Sequence, residues 1–348
     1  MTFIANMTSL PPMPAMPKAA PLPDKPPLHL TGGYLAIASP DSISETSFSI
    51  PAVRALRSAR RLSTIAIIAN SATAPLWRKV AEVNLVIEHS SDDSARKIVK
   101  SLKDSNLPFD SSIAWENGAA AQAFAKLGIK QRLGYPADKL AKLLTDPVKV
   151  IREAGPIEHR VRHYLLFVEK LGLDPFQPSN FTPPPRPPAP AKAILALAPG
   201  SDFGTAAEWP LDRFVELAGQ VPSEVELVIL PSPDRPEPAS ELAKALNLPV
   251  TYLDGDDLLE FLATCRALVT NDGSLPHLAA LVGTAALVFF GPNDPEWRRP
   301  LGRIHKVVRR HVPCSGCLLN KCPLDHRCMS EITVASVALD LQSLLKDE

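Results

Sequence analysis

The stretch ALVTNDGSLPHLAALVGTAALVFFGPNDPEW, Ala267 to Trp297, contains a complete alternation of structure. A short apolar run ending at Thr270 reads as a buried strand, and Thr270 to Ser274 are small, polar and turn-forming. An apolar run of helical pattern follows, with His277 in its first turn, and TAALVFF reads as a second strand that ends in the loop FGPNDPEW. Strand, loop, helix and strand in this order argue for parallel strands with helices laid across them. The polar loop has two readings. Asp and Ser are good helix caps that satisfy unpaired backbone donors. The same residues can also surround an anion held at the positive end of the helix, with the Gly273 and Ser274 amides pointing at it and Asp272 and His277 flanking it.

The alternation continues on both sides. Upstream, AILALAPG, VELVILPS and VTYLDG read as strands, and PLDRFVELAGQV, PASELAKALN and DLLEFLATC as helices. Downstream, KVVRR reads as one more strand. ITVASVALDLQSLL reads as a terminal helix with Val334, Val337, Leu341, Leu344 and Leu345 on one stripe. The earlier part of the chain repeats the theme. YLAIAS, STIAIIAN, VNLVIEH and DSSIAW are strand-like. Helices are expected after Pro51, over KIVKSLKD and NGAAAQAFAKLGI, and over Glu158 to Leu173. Between the two series lies PFQPSNFTPPPRPPAPAK, whose prolines can continue neither a sheet nor a helix.

These boundaries divide the 348 residues into four parts. Residues 1–30 are expected to be a disordered Pro-rich extension and 31–182 a Rossmann-like domain. Residues 183–190 form a Pro-rich linker, and 191–348 a second Rossmann-like domain with a cysteine-rich loop at 314–328. Two doubly wound α/β domains would place a ligand cleft between the carboxyl ends of their strands.

Composition sets outer limits. Hydrophobic residues make up 45% and charged residues 21%, and 37 cationic residues balance 37 acidic ones. A neutral chain gives no reason to expect nucleic acid as a global partner. No apolar run reaches 18 residues, so no transmembrane segment is expected, and the chain is placed in the cytoplasm. Of five cysteines, four crowd into one loop as Cys314, Cys317, Cys322 and Cys328. That set is a candidate for a structural zinc held by thiolates. The alternatives are reduced packing cysteines or reversible disulfides. Cys265 is expected in the core.

Three loops follow strands of the second series: PGSDFGTAAEWP, TNDGSLPH and FGPNDPEW. Gly200 and Gly204 in the first would let the backbone approach a ligand closely, although a plain turn explains such glycines equally well. His277, one helical turn beyond Gly273, can face the same ligand or serve as a satisfied core histidine.

Taken together, these segments resemble glycosyltransferase family 9, the ADP-heptose:lipopolysaccharide heptosyltransferases. TNDGSLPHLAALVGTAALVFFGPNDPEW is similar to the family's TNDSGPMHLAAALGTPVVALFGPTDP, and PGSDFGTAAEWPLDRFVELA to its PGAxFGxAKRWPxExFAxLA. PCSGCLLNKCPLDHRCMSEITVASV resembles a cysteine-rich tail segment of many members. In the first half SETSFSIPAVRALR resembles the opening GDVVLTLPALRAL. The resemblance covers most of residues 34–345. It implies a GT-B architecture of two Rossmann-like domains facing across a cleft, and metal-independent, inverting transfer of a heptose from ADP-heptose to a lipopolysaccharide core or related surface glycan. No cofactor is then required. The partners would be an ADP-sugar donor and a lipid-linked acceptor at the inner membrane face, with the protein cytoplasmic or peripheral there.

By the same resemblance Gly200, Ser201, Gly204, Thr270, Asp272, Gly273, Ser274 and His277 fall on donor-binding positions. The general base, an Asp six residues before the helix proline, corresponds to Glu45, and Ser44 replaces the Gly before it. The phosphate-contacting Lys corresponds to Ala207 and the adjacent Arg to Glu208, while Pro231 and Ser232 stand where a Gly-Gly pair is usual. Arg298 and Arg299 are the nearest cations in sequence that could compensate. The loss of the lysine motivates an alternative, a catalytically impaired homologue that binds a nucleotide-sugar or glycan without transfer.

Overall fold

The computed structural model describes residues 29–150 and 155–346. The expected Pro-rich extension lies almost entirely outside the described residues. In the first half the elements are β1 (Tyr34–Ala38), α1 (Ile43–Ala59), β2 (Thr64–Asn70), α2 (Ala74–Arg78), β3 (Leu85–His89), α3 (Ala95–Asp104), β4 (Ser111–Ala114), α4 (Ala119–Leu127), β5 (Gln131–Gly134), β6 (Asp146–Pro147) and α5 (Arg162–Glu169). The second half has β7 (Ile194–Ala198), α6 (Leu211–Ala218), β8 (Glu226–Ile229), α7 (Glu237–Leu246), α8 (Gly255–Thr264), β9 (Ala267–Asn271), α9 (Leu275–Leu281), β10 (Ala285–Phe290), α10 (Pro295–Arg298), β11 (Lys306–Arg309), α11 (Arg327–Ser330) and α12 (Val334–Leu345).

Every strand pairing within the two sheets is parallel. The orders are β3-β2-β1-β4-β5-β6 and β11-β10-β9-β7-β8, so each half is doubly wound as expected. The first order is that of a Rossmann sheet. Its strand order reverses between β1 and β4, and in the second sheet the reversal falls between β7 and β9. At each reversal neighbouring loops diverge and open a crevice at the carboxyl ends of the strands.

The halves are packed together. One apolar cluster contains Phe48, Val53 and Trp77 of the first half and Leu259, Leu262, Leu278 and Leu281 of the second. At the surface Arg78 reaches Asp256 at 2.7 Å and Lys79 reaches Glu260 at 2.9 Å. The second half also has its own core, where Trp209 stacks on Phe289 with ring centroids 4.1 Å apart, and the α12 stripe of Val334, Val337 and Leu341 closes it. Residues 183–190 carry neither helix nor strand. Pro183 packs against Gly283, and Arg186 donates to the Ala263 carbonyl at 3.1 Å and to that of Cys265.

Three local expectations are corrected. VTYLDG forms no strand; a single bridge joins Val250 to Ile229, and the segment carries too little ladder to continue. The helix anticipated over Glu158 to Leu173 spans only Arg162–Glu169. Conversely, α1 begins before Pro51 and runs through it. Pro51 forfeits one helical hydrogen bond, but Ser44 and residues 46–56 of α1 are buried, and that packing outweighs the loss. Cys265 is fully buried, and burial pushes its thiol up to about 12.

Candidate active site

The first crevice is lined by charge that is already paired. Ser42 caps α1, accepting from the Glu45 amide at 3.3 Å. In a capping box the glutamate side chain would turn back to the cap, but Glu45 extends across the crevice instead. Arg160 Nε contacts both its carboxylate oxygens at 2.9 Å, and the Tyr164 hydroxyl donates to Oε2 at 2.6 Å. Burial and the Glu45 carboxylate push the Tyr164 phenol far above its usual range, so it stays protonated and donates. Trp115 packs edge-on against the Tyr164 ring with centroids 5.1 Å apart and holds it in place. Beside them Glu116, just after β4, accepts from the Asp41 amide at 3.3 Å. Its carboxyl is raised by partial burial, and the Asp41 and Glu45 charges add to that effect. A carboxylate offers about four lone-pair positions, so Glu45 keeps acceptor capacity after its three bonds.

The second crevice is buried and incompletely paired. Asp272 and His277 are each only 1% exposed. Asn293 donates to Asp272 Oδ2, but Asp272 Oδ1, Asn293 Oδ1 and both ring nitrogens of His277 have no hydrogen-bond partner. Burial pushes the Asp272 carboxyl up to about 6, against the pull of Arg298, the Asn293 amide and the Gly273 N–H. Burial also holds the His277 imidazole well below its ordinary range, with the Arg298 charge acting in the same direction, so the ring is neutral. An unpaired buried polar group costs about 1–3 kcal/mol, and such groups gathered at a strand-order reversal mark a place for a polar ligand.

Several expected site residues have a different immediate role. The Ser274 amide is not free: Asp202 accepts from it at 3.0 and 3.2 Å and also takes the Ser274 hydroxyl. A Cβ on Gly273 would lie 2.1 Å from Asp202 Oδ1, so any side chain there would push aside the carboxylate that holds the Ser274 amide. Gly200 and Gly204 likewise make room for protein. A Cβ on Gly200 would meet the Arg235 carbonyl at 2.4 Å, and one on Gly204, at φ +123°, the Asn320 carbonyl at 2.5 Å. Thr270 is buried in β9 with its hydroxyl on the Asn271 carbonyl. Ser201 donates to the Asp272 carbonyl at 2.6 Å, tying the loop after β7 to the loop after β9.

Ala207 is fully buried. Glu208 is neutralised by Arg235, with Nε to Oε1 at 3.1 Å, and accepts from the Ser201 amide at 3.3 Å. Arg160, Tyr164, Asp202 and Arg235 were missed in the sequence because no local pattern marks them.

The four loop cysteines do not form the expected tetrahedral centre. Cys314 and Cys317 are exposed, Cys322 is half-buried, and Cys328 is buried beside Gly291. Among the described residues no group of three or more His, Cys, Asp or Glu is arranged to hold a metal ion. The loop acts instead as a brace for the loop after β7: the Asn320 carbonyl accepts from the Ala206 amide at 3.0 Å, and His326 Nε2 lies 2.8 Å from the Ala206 carbonyl.

The two crevices meet through side chains. Phe48, one turn beyond Glu45, contacts His277 edge-on with ring centroids 4.9 Å apart. Arg298 Nη2 donates to Ser44 Oγ at 3.2 Å, and the Arg160 amide donates to the Trp297 carbonyl at 2.7 Å.

Comparison with known proteins agrees with this geometry. The sequence profile described as "Glycosyltransferase family 9 (heptosyltransferase)" matches residues 96–327, two thirds of the chain. Lipopolysaccharide heptosyltransferase 2 of Escherichia coli K12 is 25% identical over 353 aligned positions, covering 90% of this chain and 99% of the relative. The Salmonella typhimurium protein of the same name is 31% identical over 170, and there the match spans about half the relative's length, 48%. The structure of E. coli ADP-heptose lipopolysaccharide heptosyltransferase II superposes with a TM-score of 0.71 at 23% identity, covering 90% of this chain and 98% of that one. E. coli heptosyltransferase WaaC with ADP gives 0.66 at 17% identity, with 89% and 99% covered. At these identities the structural matches speak for the fold, the GT-B arrangement of two facing doubly wound halves.

Proposed function

Because the chain belongs to glycosyltransferase family 9, we propose that it transfers a heptosyl residue from ADP-heptose to a hydroxyl of a lipopolysaccharide core or related surface glycan, with inversion and without a metal. The observation that carries this reading is the meeting of the two crevices: Glu45, in the first turn of α1, lies on the same helix face as Phe48 and beside Ser44, which touch His277 and Arg298. In the proposed reaction the acceptor oxygen attacks the anomeric carbon as the bond from that carbon to the phosphate oxygen breaks. The acceptor proton passes to Glu45, and ADP leaves with the bonding pair. Arg160 and Tyr164 hold the Glu45 carboxylate in one orientation, which is what a base needs for an in-line attack. On the donor side Asp272, Gly273, Ser274 and His277 would line the nucleotide-sugar, with Ser201 and Thr270 fixing the loops behind them. The acceptor would be lipid-linked and met at the inner face of the inner membrane by a cytoplasmic or peripheral protein. No helix among the described residues is long and apolar enough to cross a membrane.

The test is transfer from ADP-heptose to a heptose-deficient core acceptor by the full chain, compared with Glu45→Gln. Turnover that survives the substitution unchanged removes Glu45 from the role. A second reading, binding without transfer, is favoured by buried Ala207 and by the Asp202 carboxylate on the Ser274 amide. Calorimetry separates the two: saturable ADP-heptose binding with no turnover of any heptose acceptor selects the second.

A further inference from the structure

Three acidic residues, Asp202, Glu208 and Asp272, stand on the loops that follow β7 and β9, and the position of the family's phosphate lysine is a buried alanine. A nucleoside diphosphate carries several negative charges, so a site built this way lacks a counter-charge on the loop that normally supplies it. Arg235 is engaged with Glu208, and also approaches Glu237 at 3.5 Å. Arg299 is exposed. Resting on the donor reading above, we infer that Arg298 is the cation that receives the diphosphate of the donor, in place of the missing lysine.

The geometry supports this in three ways. Asp294 caps α10, accepting from the Glu296 amide at 2.8 Å, and this short helix ends with Arg298 directed at the junction of the two crevices. There Nη2 donates to Ser44 Oγ at 3.2 Å, while Nε is buried with no partner. A guanidinium carries five donors in a planar fork suited to two phosphate oxygens at once, and this one has spare donors in a crevice that also holds the unpaired Asp272 Oδ1 and His277 nitrogens. Finally, Ser44 stands where the family's pair begins with glycine, and its hydroxyl is what holds Arg298 at the base-bearing helix. One departure from the family pattern, Ser44, thus takes part directly in this contact. The Arg298 charge acts on both Asp272 and His277, which places it beside the residues proposed to line the donor.

The experiment is calorimetric titration of the full chain with ADP and with adenosine, for the wild type, Arg298→Ala, Arg298→Lys, Arg299→Ala and Arg235→Ala, with melting temperature as a folding check. Losing one charge-assisted contact should weaken ADP on the order of 10- to 150-fold in Arg298→Ala and leave adenosine within about twofold. Arg298→Lys should recover part of the loss, and Arg299→Ala should match the wild type. An Arg298→Ala protein that melts normally and binds ADP as tightly as the wild type overturns the inference and leaves the donor reading standing. So does an equal loss of ADP and adenosine, or a larger ADP-specific loss in Arg235→Ala. A wild-type chain that binds no ADP at all sinks the donor reading itself, and the inference with it.

Discussion

The two crevices are built on the same plan and filled in opposite ways. In the first, between β1 and β4, the central carboxylate is met by a guanidinium and a phenol before any ligand arrives. In the second, between β7 and β9, the central carboxylate is buried with one oxygen unpaired, next to a neutral imidazole with no partner on either nitrogen. On the first side the carboxylate is a preset frame, and the Trp115 indole N–H, unpaired beside it, is not a charge. The other carries buried polar groups whose cost a ligand would relieve. The contrast suggests a division of labour: orientation of a reacting group on one side, and capture of a polar ligand on the other.

The sharpest way to break that division is Glu45→Gln. If the first crevice serves chemistry and the second serves binding, transfer falls by about 10²- to 10⁴-fold, the usual contribution of a general base. ADP affinity, measured by calorimetry on the same protein, stays within about twofold. A large loss of ADP affinity would mean that the two sides do not divide the work. The Arg298 series comes next in size and asks whether the captured ligand is anionic.

A smaller effect distinguishes the sides by pH. The Asp272 carboxyl is raised from 3.8 to about 6 in the folded chain. The folded state therefore holds the proton more tightly than the unfolded one, and stability from this group is present at low pH and lost as pH rises from about 4 through 6. At about 1.36 kcal/mol per unit, the loss is at most about 3 kcal/mol. His277 acts with the opposite sign: its folded value is depressed, so its contribution is present above about 6.5 and lost as pH falls. Denaturant melts of Asp272→Asn and wild type across pH 4–8 isolate the first effect, and the two should diverge in favour of the variant as pH rises. Parallel curves would show that Asp272 is better solvated than its burial implies.

The smallest expected change concerns the cysteine loop that braces the second crevice. Since among the described residues no group of three or more His, Cys, Asp or Glu is arranged to hold a metal ion, treatment with a strong chelator should move the melting temperature by less than about 1 °C. In the native protein Cys314 and Cys317 should react with a thiol reagent well before Cys265 and Cys328. A drop of several degrees on chelation would show a metal holding the loop together.

Local pattern reports the fold where it is strong. The run at Ala267–Asn271, the stripe of α12 and the alternation on both sides of the prolines each report which face of an element is buried, and burial is what periodicity records. Weak patterns misled: VTYLDG has the apolar character of a strand but too few backbone partners, and α1 looked as though it must start after Pro51 because the packing that sustains it comes from distant residues.

The sequence by itself therefore determined the two doubly wound halves, and by resemblance the family, because both depend on short-range order along the chain. Only the tertiary structure decided who meets whom. Asp202 takes the amide of Ser274, Arg160 takes the carboxylate of Glu45, and Arg298 reaches Ser44 from the far end of the second half. Gly200 and Gly204 admit neighbouring loops in the positions where a ligand was expected. A hydrogen bond depends on the position of its partner in space, and for residues so far apart along the chain that position is set by how the sheets and helices pack.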